Sequence, residues 1–235
     1  MRRETAQPQL LVGELRETAE RIIAKYPNSH SATLPLLFLV QSVEGYVTEQ
    51  GMREVADLLG LTSAQVLSSA SFYTMLKKRP QGDYLISVCR NISCTHRGSR
   101  DVVKAFEERL GVGVGETTAD GRFTLETAEC LATCDGAPAL QVNYEDFYDV
   151  EPADASEIVD RLASGGPLTS TRGERVKTAK EISLETATAG LRSPGTAGDH
   201  TARTIGGESV RPDTSPGTRP PELGGHSDGR GGTGA

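Results

Sequence analysis

The sequence predicts an α+β chain: an N-terminal helical bundle over residues 1–79, a small α/β unit over 80–166, and a structureless tail over 167–235. Three observations carry this. Apolar residues recur at helical spacing through the first 79 positions, short strand-like runs then alternate with helices, and the composition changes sharply after about residue 170. Residues 171–235 hold 13 of the 26 glycines and 5 of the 12 prolines, and no aromatic residue, Met or Cys. Such a segment supplies too little apolar burial to offset chain entropy, so it is expected to be disordered.

The elements follow in order. Leu15, Ala19, Ile22, Ile23 and Tyr26 share one helical face, and Pro27-Asn28 ends the run. Leu34 to Val43 forms a second helix with Pro35 in its first turn, where the missing N–H would be unpaired anyway. Val55, Leu58 and Leu59 mark a third helix ending at Gly60. Thr62-x-x-Gln65 then has capping-box spacing ahead of Val66, Leu67 and Ala70. These helices are too short to stand alone and should pack as one antiparallel cluster, ending near Lys77-Lys78-Arg79-Pro80.

Tyr84 to Val88 reads as a strand. Ser99 then N-caps a helix that turns Val102, Val103, Phe106 and Leu110 inward. Phe123 to Leu125 and Ala139 to Val142 read as strands, and Phe147 to Val150 pairs back through a turn at Asn143–Asp146. Ile158, Val159 and Leu162 define a closing helix that ends at Gly165-Gly166. The outcome is a small open sheet with helices on it.

Charge narrows the function classes. The chain of 235 residues carries a net charge of -7, and the acidity lies before residue 171, so a phosphate-binding surface and a nucleic-acid partner are disfavoured. The most apolar run, Leu34 to Val40, is far shorter than the roughly 20 residues that span a bilayer. The opening Met1-Arg2-Arg3-Glu4 lacks the apolar segment of a signal peptide. The expectation is a soluble, cytoplasmic protein without direct membrane insertion.

The chemistry sits in four cysteines, Cys89, Cys94, Cys130 and Cys134, spaced C-x4-C, then 35 residues, then C-x3-C. Both pairs fall in loops beside strand ends, where they can converge as four thiolates suited to zinc or an iron–sulfur cluster. Two disulfides are disfavoured in a reducing compartment. Zinc loops usually open with two to four residues and come as matched knuckles, so the spacing favours iron–sulfur while leaving zinc open. Four inert buried thiols would leave the pairing unexplained. Cys94-Thr95-His96 imitates half of a Rieske site, but no His follows Cys130 or Cys134, and His96 reads as a solvated loop residue. A thioredoxin-type redox dithiol needs C-x-x-C, which the chain lacks. Gly111, Gly113 and Gly115 follow a helix instead of opening one, so they read as helix-end and turn glycines, not a phosphate loop.

Taken together, Ser71-Phe72-Tyr73-Thr74-Met75, Val88-Cys89-x4-Cys94, Arg97-Gly98-Ser99, Gly115 to Gly121, Phe123-Thr124-Leu125-Glu126, Glu129-Cys130-Leu131-x2-Cys134 and Ala137-Pro138 resemble the E-type subunits of NADH-quinone oxidoreductase, respiratory complex I. The resemblance covers about residues 10 to 165. It implies a thioredoxin-like domain with one 2Fe-2S cluster, one iron held by Cys89 and Cys94 and the other by Cys130 and Cys134. It also implies a place beside an FMN-containing, NADH-oxidising subunit among the other peripheral-arm subunits, at the cytoplasmic face of the inner membrane. The chain departs from the family in Arg90-Asn91-Ile92-Ser93 and in its long tail.

The expected role is one-electron transfer, with no NADH oxidation by this chain alone. Glu129 and Asp135 flank the ligand loops and would favour an oxidised cluster if they approach it. Related subunits serve NAD-linked hydrogenases and formate dehydrogenases. A free ferredoxin-like carrier and a zinc-stapled interaction module are the readings from other classes.

Overall fold

The computed structural model describes residues 9–191. Four helices precede the sheet: α1 (Glu14–Ile23), α2 (Thr33–Glu44), α3 (Glu49–Leu59) and α4 (Ser63–Phe72). α2 is the hub. Its residues Leu36 to Gln41 are all buried, so it is covered on every side rather than along one stripe. α1 offers Ala19 and Ile22 to this core, α3 offers Met52, Val55, Ala56 and Leu59, and α4 offers Val66 and Ala70.

Local chemistry sets the ends. Thr48 caps α3 by accepting from the Gly51 N–H, and at α4 both hydrogen bonds of the Thr62/Gln65 capping box are made. α2 and α3 stop at Gly45 and Gly60, each left-handed at φ 83° and 68°. α1 ends at Ile23, a turn earlier than its apolar pattern suggests, and Tyr26 is left exposed.

The sheet has four strands, β1 (Tyr84–Cys89), β2 (Phe123–Ala128), β3 (Leu140–Val142) and β4 (Glu145–Phe147), in the order β2-β1-β3-β4. β1 and β2 run parallel, with Cys89 opposite Ala128, while β3 is antiparallel to β1 and β4 to β3. Between β1 and β2 lie α5 (Ile92–His96) and α6 (Ser99–Leu110), and α6 supplies the crossover that a parallel pair requires. α6 and α7 (Asp154–Ala163) pack together and bury Val102, Phe106, Ile158, Val159 and Leu162 against Ile86, Val88, Leu125, Leu140 and Val142. Gly111 at φ 70° closes α6, as expected of a helix-end glycine.

Asn143 and Tyr144, at φ 48° and 71°, form the two-residue turn between β3 and β4. The Asn143 side chain is fully used: Oδ1 accepts from the Leu85 N–H at 2.8 Å, and Nδ2 donates to the Asp83 and Lys177 carbonyls at 2.7 Å each.

Three expectations need correction. The returning strand is Glu145–Phe147 after the turn Asn143-Tyr144, not Phe147 to Val150 after Asn143–Asp146, because the left-handed pair closes the hairpin in two residues. Gly98, left-handed at φ 103°, occupies the N-cap position of α6, and Ser99 is its buried first residue making no side-chain cap. The segment expected to be structureless from residue 167 is instead folded to residue 191. Leu168 and Val176 are buried in the sheet's core, Thr169 bridges to Arg175, and α8 (Ala179–Thr188) packs along α2. Thr178 and Glu181 form a second capping box, and the buried residues of α8 are the small Ser183 and Ala187. The rest of the expected tail, residues 192–235, lies outside the described residues.

α8 therefore returns from the sheet to the helical cluster. Gln41 of α2 donates to the Ser183 hydroxyl at 3.0 Å and to the Met75 carbonyl at 3.1 Å, and accepts from the Lys77 N–H at 2.8 Å. Lys77 reaches Glu126 of β2 at 3.4 Å, and Glu126 accepts from the Ser87 hydroxyl of β1 at 2.7 Å. The polar chain runs from α8 through α2 to the sheet.

Candidate metal centre

Parallel pairing determines where the cysteines meet. Because β1 and β2 run the same way, the segments following Cys89 and Ala128 emerge at the same end of the sheet. Antiparallel β3 begins at that end too, so the chain from Cys130 to Ala139 crosses it before Leu140 pairs with Val88. Sites outside the carboxyl ends of strands are the usual place for function in open α/β sheets.

The first pair is held by a compact helical turn. Asn91 caps α5 by accepting from the Ile92 N–H at 2.7 Å, and the Thr95 hydroxyl donates to the Arg90 carbonyl at 2.9 Å. Cys89 and Cys94 are buried against Ala137, Ala139, Leu131 and Tyr148. Burial pushes the Cys94 thiol up to about 11; a hydrogen bond involving the Ala139 backbone opposes this, and the adjacent Cys89 and Cys134 sulfurs add to the rise. The thiol form is thus kept at neutral pH until a metal takes the proton's place.

The second pair is exposed. Ala132 adopts the left-handed region at φ 57°, rare for a residue with a Cβ, and its N–H donates to Cys130 Sγ at 3.4 Å. Cys134 opens a short 3-10 turn to Gly136, where an added Cβ would stand 2.5 Å from the Tyr148 side chain. The Tyr148 ring therefore lies directly on that backbone.

Two arginines from the first segment grip the second. Arg90 pairs with Glu129 beside Cys130, and Arg97 donates through Nε to the Ala137 carbonyl while standing 3.7 Å from Asp149. Sequence reasoning gives neither arginine a role. Their hydrogen bonds span 39 and 40 residues, a separation with no local pattern.

All four thiols are free of disulfides, and the Cys94 environment includes both Cys89 and Cys134. Among the described residues no three His, Cys, Asp or Glu side chains already form a closed metal cage. The donor set nonetheless fits a sulfur-ligated group: four thiols, from the end of β1, α5 and the segment after β2, two buried and two exposed. His96 is exposed at the end of α5.

The E subunit of the NADH-quinone oxidoreductase of Mycobacterium tuberculosis is 47% identical over 166 residues, covering 71% of this chain and 66% of that protein. NADH-quinone oxidoreductase subunit 2 of Thermus thermophilus is 39% identical over 132 residues, 55% of this chain and 73% of the relative. The chain thus spans just under two thirds of the length of the mycobacterial relative. A solved NAD+-reducing [NiFe]-hydrogenase in the H2-reduced state aligns at a TM-score of 0.50 with 20% identity, over 56% of this chain and 22% of that one, a likeness of fold alone. The family model of the thioredoxin-like [2Fe-2S] ferredoxins matches residues 19–163. With that match over more than half its length, the chain belongs to the thioredoxin-like [2Fe-2S] ferredoxin family.

Proposed function

We propose that this chain is the electron-transfer subunit of an NADH-quinone oxidoreductase, in which Cys89, Cys94, Cys130 and Cys134 hold one 2Fe-2S cluster beside an FMN-containing, NADH-oxidising subunit. The observation that carries the reading is the gathering of both cysteine pairs at one end of the parallel strands, in a chain of this family. When bound, such a cluster accepts and releases one electron at a time.

The residues divide the work. Cys89 and Cys94 provide the buried side, with Leu131, Ala137, Ala139 and Tyr148 limiting water. Cys130 and Cys134 provide the side open to a partner. Arg90 and Arg97 hold the two segments together, and Arg90 sets a positive charge against Glu129, whose negative charge favours the oxidised state.

Hydride transfer from NADH is a two-electron step, so a flavin on another chain must stand between nicotinamide and iron. Among the described residues no helix is long and apolar enough to cross a membrane. Attachment at the cytoplasmic face of the membrane through the other subunits follows from the proposal.

Metal and acid-labile sulfide analysis of anaerobically purified protein tests it. About two irons and two sulfides per chain are expected. Cys130→Ser or Cys134→Ser should lose or strongly weaken the cluster, and stoichiometric zinc in colourless protein would refute the reading.

A further inference from the structure

The sheet has a second face, away from α6 and α7. Over β1 and β2 this face is roofed by the chain between α4 and β1. Between roof and sheet lies a cleft of about 700 Å³. Its floor includes Ser87, Thr124, Glu126, Gln141 and Tyr144, and its far end reaches Glu129 and Leu131, next to exposed Cys130.

Three features of this cleft lack an intramolecular explanation. Gln81 Oε1 is a buried acceptor without a partner, the one such side-chain atom found among the described residues. Lys78 and Arg79 are exposed on the roof, and no carboxylate among the described residues pairs with them. Lys77 is already matched by Glu126, and Glu129 by Arg90, so the cleft carries two uncompensated positive charges on an acidic chain. Tyr73 lines the cleft and is exposed, and its chain neighbours Phe72, 79% exposed, and Met75 continue that exposed surface outside the cleft. Apolar anchors rimmed by unpaired charge mark a docking surface.

The floor mixes hydroxyl, amide and carboxylate groups with Leu85, so a wholly apolar occupant would bury polar groups without partners. Strand addition is also closed: residues 115–118 bond to the outer side of β2, and Thr171 bonds to Asp146 and Tyr148 at β4. We propose that the cleft seats an acidic polypeptide segment of the flavin-bearing partner, its carboxylates on Lys78 and Arg79, which continues over Tyr73 onto the adjoining exposed Phe72 and Met75. This rests on the function proposed above. It adds the surface that brings the partner past the exposed cysteines.

The test titrates the cluster-loaded full chain against the purified FMN-containing, NADH-oxidising subunit, following association by calorimetry at low and high salt. Lys78→Glu/Arg79→Glu should weaken binding at least tenfold and flatten its salt dependence. Phe72→Ala/Met75→Ala should weaken it at unchanged salt dependence. Iron content and far-UV circular dichroism should match the parent in both variants. Parent-like affinity and salt dependence in both would overturn the docking surface while leaving the proposed function intact. Loss of a self-association of the chain alone in the charge variant would assign the cleft to a second copy and also overturn it. No association of the parent chain with the flavoprotein would sink the proposed function, and the docking surface with it.

Discussion

Gln41→Leu tests the join between the two halves of the fold. Gln41 is 4% exposed, and its amide serves the Lys77 N–H, the Met75 carbonyl and the Ser183 hydroxyl at 2.8, 3.1 and 3.0 Å. Leu has nearly the same volume, so the change removes polar partners without opening a cavity. Ser183 keeps its bond to the Ala179 carbonyl at 2.7 Å and remains satisfied. Two backbone groups do not, and at about 1–3 kcal/mol for each stranded group the expected loss is about 2–6 kcal/mol, with water access at Met75 favouring the lower end. In a folded region of this size that corresponds to a fall in Tm of roughly 10 °C. Thermal unfolding of the cluster-loaded protein reads it directly. A double-mutant cycle with Ser183→Ala should return a coupling of about 1 kcal/mol. A loss below about 0.5 kcal/mol would refute the idea that this amide fastens α8 and the segment between α4 and β1 to α2.

Truncation after Gly166 should lower the Tm by well over about 10 °C or yield aggregated protein, because it removes the buried Leu168, Val176 and Ala187; a parent-like melting curve would show that α8 is dispensable. Gly51→Ala should cost about 1–3 kcal/mol, since its Cβ would lie 2.3 Å from Val40 Cγ1, and Val40→Ala should restore part of the loss in chemical denaturation. Arg97→Gln should shorten the lifetime of the visible absorbance under a chelator several-fold with little change in helical content, because the Ala137 tether is lost; equal lifetimes would contradict it. Burial pushes the Glu54 carboxyl up, but the Leu11 and Leu10 N–H groups and the Gln50 amide outweigh it and hold the group below 4.5. Its stabilising contribution is thus complete above pH 4.5 and fades as the pH falls through the lowered value. Hydrogen exchange at Leu10 and Leu11 should accelerate over that window relative to Glu54→Gln, in which it should already be fast; pH-independent protection in the parent would contradict the assignment.

What is legible in the sequence follows from local physics. The capping box at Thr62, the stop at Gly60 and the apolar run of β1 each depend on neighbours within a few residues. The cysteine spacing points to the site without its geometry, because the parallel register that sets Cys89 opposite Ala128 is a pairing across 39 residues. Arg90 and Arg97 are illegible for the same reason. The folded stretch 168–191 escapes differently. Averaging its composition with the Gly- and Pro-rich remainder hides it, and α8 buries Ser183 and Ala187, which leave no apolar stripe to count. A signal lies elsewhere, in α2. Leu36, Leu37, Phe38, Leu39 and Val40 occupy every side of that helix, and a helix apolar all round needs cover all round. The other N-terminal helices leave one flank of α2 for α8. Small residues suit that flank because they let the two backbones approach closely. The capping box at Thr178-x-x-Glu181 shows in sequence where such a helix starts.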